Sequence, residues 1–155
     1  MRRMFSEKQI QELVKNTPKD IESLVDSQGH DRFPKGDIEI EEITGITKTY
    51  GKWSLSGTHL MIVLACKCEN GAIFVSGNTL AEVDIPTWIL DKIIPIFSTQ
   101  VERKSTSCYG ADYTTQTLQV NLVKSSGKLI IQTGSLTLSA TRDFRVSFDL
   151  IIDND

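Results

Sequence analysis

Thr58–Cys68 reads THLMIVLACKC. His59, Met61, Val63 and Ala65 alternate with Leu60, Ile62, Leu64 and Cys66, and both sets are largely apolar. Extended chain sends successive side chains to opposite faces, so a stretch greasy in both phases belongs between two layers. Seven residues, Leu60 to Cys66, are too few to cross a bilayer as a helix. The stretch is therefore predicted to be the central strand of an all-β core.

Downstream, further strands are punctuated by turn residues. Glu69-Asn70-Gly71 has the chemistry of a tight hairpin turn, after which Ala72–Val75 returns. Ser76-Gly77-Asn78 turns again, and Thr79–Ile85 puts Ala81, Val83 and Ile85 on one face. Pro86 and Pro95 bracket an apolar stretch that reads as a short helix or an irregular crossover covering one end of the core. Its Trp88-Ile89-Leu90 and Ile93-Ile94 cluster is core, or a subunit interface where exposed. Val101–Cys108 carries few apolar residues and reads as an edge or subunit-facing strand. Leu118–Val123 and Lys128–Thr133 form a hairpin closed by Ser125-Ser126-Gly127, and Leu136 and Leu138 begin a short strand. In the last strand Phe144, Val146, Phe148, Leu150 and Ile152 share one face, while Arg145, Ser147 and Asp149 take the other.

Upstream, Thr47–Ser56 and the Ile38/Ile40 alternation add two strands. The start of the chain has a different period. Ser6-Glu7-Lys8-Gln9 is a capping box, and Ile10, Leu13 and Val14 share one helical face. Pro18 interrupts or restarts the helix, and Ile21, Leu24 and Val25 continue the apolar stripe to Ser27-Gln28-Gly29. Ile10, Val14, Thr17, Ile21 and Leu24 follow a four-three spacing over two heptads. Two uses fit that seam: a helix lying on its own β-domain, or an oligomerising and anchoring element. His30–Asp37 is a polar connector. The expected organisation is residues 1–37 as a helical adaptor and linker, and 38–155 as a jelly-roll-like antiparallel β-sandwich, mainly β.

A net charge of −3, with scattered basic residues, argues against a nucleic-acid-binding surface. Ser6–Gln9 falls where a signal peptide would need an apolar core, so no targeting segment and no membrane insertion are expected. Cys66, Cys68 and Cys108 are an odd set that suits free core thiols better than disulfides or a zinc knuckle. His59 reads as a hydrogen-bonded structural residue, and Asp149 and Asp153 as solvated acids. No nucleophile elbow or phosphate loop is present, so no catalytic residue, metal or cofactor is assigned. Tyr109, Asp112 and Tyr113, with Gly110 between, have the composition of a loop that stacks on a sugar or a protein, or of an ordinary loop with one ring folded inward.

Trp53–Gly57 leads into the central strand, Val83-Asp84-Ile85-Pro86 is followed by Pro95, and Lys124-Ser125-Ser126-Gly127-Lys128 precedes the closing Phe144–Ile152. Over about Thr47–Asp153 this order resembles the small β-sandwich heads of bacteriophage tail-fibre, head-fibre and baseplate proteins. The resemblance implies a non-enzymatic virion structural protein, a homotrimer made in the host bacterial cytoplasm. Its N-terminal segment would anchor it to other virion proteins, and its loops would attach to a host-surface glycan or protein. No long shaft or collagen-like repeat is present, which points to a short fibre, head-fibre, collar or baseplate appendage. The alternative is a freestanding carbohydrate-binding module.

Overall fold

A computed structural model of the chain describes residues 33–153. The predicted N-terminal helix, with Ile10, Leu13, Val14, Ile21 and Leu24, lies outside the described residues. Ten strands follow in order: β1 Lys35–Ile40, β2 Ile46–Ser56, β3 His59–Cys68, β4 Ile73–Phe74, β5 Thr79–Val83, β6 Gln100–Tyr109, β7 Thr115–Ser125, β8 Lys128–Thr133, β9 Leu136–Thr137 and β10 Arg142–Ile151. One short helix, α1, spans Thr87–Leu90 between the two prolines. β1 begins at Lys35, inside the stretch read from the sequence as connector.

Eight strands close into a barrel in the order β1-β2-β3-β10-β6-β7-β8-β5, and every pairing is antiparallel. β4 and β9 pair separately as a two-stranded sheet. Mainly antiparallel β structure was expected; the jelly-roll connectivity was not met. β1-β2-β3 and β6-β7-β8 are meanders whose members hydrogen-bond to their chain neighbours, because connections of two or five residues leave little length to cross between sheets. At the β7–β8 turn Ser126 and Gly127 both take positive φ, 51° and 73°, the backbone of a tight hairpin. The hairpin expected at Asn70-Gly71 does not form: Gly71 turns the chain with φ 88°, but β4 pairs with β9 rather than β3.

β3 does pair on both sides, with β2 and β10 along its whole length. Leu60, Ile62, Leu64, Cys66 and Cys68 point into the barrel and are buried. The expectation of two covered faces is corrected: Met61, Val63 and Ala65 lie on the outer wall and are only partly covered. A closed barrel has one interior, so its outer face needs no second layer. Phe144, Val146 and Phe148 of β10 face inward as the alternation predicts, joined by Leu118, Val120 and Leu122 of β7. All three cysteines are buried, and burial first of all raises the Cys66 and Cys68 thiols to about 12 and Cys108 to about 11.

The registers give the barrel two distinct poles. At one pole lie residue 33, the Gly57-Thr58 turn, the Ser126-Gly127 turn, α1 and the end of β10; the Ile152 amide donates to the Thr58 carbonyl. Ile89, Leu90 and Ile93 plug this pole. At the other lie the 41–45 and 69–72 turns, the β4–β9 sheet and the 109–114 loop. The described chain therefore enters and leaves at one pole and exposes a braced loop at the other.

Candidate binding site at the loop pole

Arg142 organises the loop pole. It precedes Phe144 by two residues on β10, so the strand alternation turns it inward, and it is 4% exposed. Its Nη2 donates to Asp112 Oδ2 at 3.1 Å and to Thr114 Oγ1, and its Nη1 donates to Gln116 Oε1. Gln116 in turn takes the Ser139 amide at 2.9 Å and donates through Nε2 to the Thr137 carbonyl at 3.0 Å. One buried guanidinium thus ties together the 109–114 loop, β7, the β9 segment and β10. A buried charge of this kind persists only when its donors are matched by acceptors. Among the described residues Arg142 Nε is buried without a partner.

Asp112 is bound by this clasp while keeping access to water, so the carboxylate expected to meet a hydroxylated ligand is already engaged. The Thr114 hydroxyl donates to Oδ2 at 2.6 Å and the Thr114 amide to Oδ1 at 3.2 Å. These bonds first, then Arg142, hold its carboxyl below the usual carboxylate range. A Cβ on Gly110 would stand 2.4 Å from the Thr141 carbonyl oxygen, so only glycine lets the loop lie this close to β10. The two tyrosines consequently face solvent. Tyr109 is exposed at the end of β6. Tyr113 is 97% exposed and sits at φ 62°, a left-handed conformation that is uncommon for a bulky residue. Neither ring is folded inward.

Arg142, Thr114 and Gln116 were missed in the sequence, although Arg142 continues the inward parity of Phe144, Val146 and Phe148. The remaining polar candidates sit elsewhere. His59 bonds Asp149 across the β3–β10 ladder, at the opposite pole from the loop, as a hydrogen-bonded structural histidine. Among the described residues no group of three or more His, Cys, Asp or Glu side chains gathers to hold a metal, and no helix is long and apolar enough to cross a membrane.

Residues 33–153 are thus a closed antiparallel β-barrel domain with a braced aromatic loop at one pole. No family model and no curated protein matches the sequence. Two solved viral structures are similar in backbone path. The distal domain of the mouse adenovirus 2 fibre aligns over 84% of each chain at 13% identity, with a TM-score of 0.46. The bovine atadenovirus type 4 fibre head protein aligns over 74% of this chain and 96% of its own at 14% identity, with a TM-score of 0.39. Scores below one half mark a partial likeness and nothing finer.

Proposed function

We propose that this chain is the non-enzymatic attachment head of a virion appendage, a short fibre, head fibre, collar or baseplate piece of a bacteriophage, acting as a homotrimer. The observation that carries the reading is the division of the barrel. Residue 33 leads away from the pole that holds the end of β10, so the preceding residues can carry the barrel with its loop pole outward. That pole offers Tyr113 on a strained, solvent-facing backbone, braced from within by Arg142. Strain held by a buried network is a mark of functional loops. An aromatic ring offered this way contacts a host-surface glycan or protein at small entropic cost.

Trimer contacts would use the outer wall. Tyr50, Met61, Val63 and Ala65 adjoin across β2 and β3 and remain partly exposed, an apolar stripe on an otherwise polar face. Light scattering on the full chain tests the assembly: three chain masses are expected. A monomer at micromolar concentration would set aside the fibre-head reading and leave the freestanding carbohydrate-binding module.

A further inference from the structure

At the pole that holds residue 33 and the end of β10, the seam between β6 and β10 carries no ladder pair. β6 and β10 share one ladder pair, Asp143↔Tyr109, beside the loop pole. A little further along, the Thr106 hydroxyl donates to the Arg145 carbonyl at 2.7 Å, a side chain in place of a ladder bond. Beyond that point the strands diverge around a groove of about 410 Å³ lined by Ile94, Ile96, Val101, Leu150, Ile151 and Glu102. Its rim is apolar and uncovered: Ile94 and Ile96 are 81% exposed, the adjacent Phe97 80% and Ile151 73%. Four large apolar side chains this bare, close together in the fold, mark a surface that something covers.

We propose that the occupant is the chain's own segment 10–24, with Ile10, Leu13, Val14, Ile21 and Leu24 laid against Ile94, Ile96, Phe97 and Ile151. Two observations carry this. The chain enters the barrel beside the groove: the Leu55 amide bonds the Pro34 carbonyl, and Ser56, His59 and Ile151 form one row from β2 through β3 to β10. The nine residues from Leu24 to Phe33 reach roughly 30 Å when extended, while three strand spacings separating β1 from β10 span roughly 14 Å. The seat would fix how the barrel stands on the residues that precede it, and it holds whether or not the chain belongs to a virion.

The test uses the full chain with Ile96→Cys as a reporter, since the three native thiols are buried with raised pKa values. Thiol labelling of Ile96→Cys is compared with and without Leu13→Ser, Ile21→Ser and Leu24→Ser. At least about tenfold faster labelling in the combined variant is expected, independent of protein concentration. Equal rates would overturn the proposal. Labelling of Ile96→Cys alone that accelerates on dilution would place a second copy on the groove and also overturn it. A parallel measurement covers the case in which a cysteine disturbs the seat. Hydrogen exchange of residues 10–24 is followed in Ile94→Ser/Ile96→Ser/Phe97→Ser, whose wild-type side chains lie outside the barrel core. Faster exchange there, with β3 unchanged, supports the seat; unchanged exchange refutes it.

Discussion

Replacing Arg142 by Met tests whether the loop pole is braced from within. The substitution keeps most of the buried aliphatic volume and removes donors to Asp112, Thr114 and Gln116. Removing the donor leaves the part-buried Gln116 Oε1 short of a partner, which costs about 1–3 kcal/mol. The Asp112 side chain keeps access to water, so its carboxylate is rehydrated and the loss rests on Gln116. In urea the unfolding midpoint should drop by roughly 0.5–1.5 M at an unchanged slope. The deficit also has a pH signature. The Asp112 carboxyl is depressed in the fold, so its contribution is present above the unfolded value near 3.8 and is lost as pH falls through the folded value. Arg142→Met removes part of that depression, so the gap to wild type should narrow as pH falls below about 4. A midpoint change worth less than about 1 kcal/mol, or a gap that widens in acid, would refute the clasp.

Other consequences are local. Gly110→Ala forces a Cβ onto the Thr141 carbonyl and should destabilise by about 1–3 kcal/mol, read by thermal unfolding. Tyr113→Gly relieves a left-handed backbone costing about 1–2 kcal/mol, offset by glycine's entropy loss of about 0.5–1 kcal/mol. A neutral or slightly raised melting temperature is therefore expected; a clear fall would mean the ring packs on the fold. Phe148→Ala, fully buried in β10, should cost about 3–5 kcal/mol by urea titration. Cys66, Cys68 and Cys108 should resist a thiol reagent at pH 8 until the barrel unfolds, and rapid labelling of the native chain would contradict their placement.

Most strands were legible because period-two alternation survives in the sequence, most plainly in Phe144, Val146, Phe148 and Leu150 of β10. The closure was not. Which strand lies beside β10 depends on registers between segments 30 or more residues apart, such as Asp143 with Tyr109, and alternation says nothing about them. The same distance hid the clasp: Arg142 and Asp112 are joined only once β6, β7 and β10 have closed. Composition placed both Tyr109 and Tyr113 on a loop, whereas Tyr109 is the last residue of β6, and it could not reveal that Asp112 would be engaged by Arg142. Likewise β3 looked covered on both faces because Met61, Val63 and Ala65 are apolar, although the barrel leaves them on its outer wall.

The loop-pole assignment is most directly tested by binding of the full chain to immobilised cell-surface glycans and whole bacterial envelopes. The wild type should bind at least one such surface. Tyr113→Gly should weaken that binding by about tenfold or more, the scale of one lost aromatic contact, without lowering stability. Binding unchanged by both Tyr113→Gly and Tyr109→Ala would place attachment on another face and contradict the account.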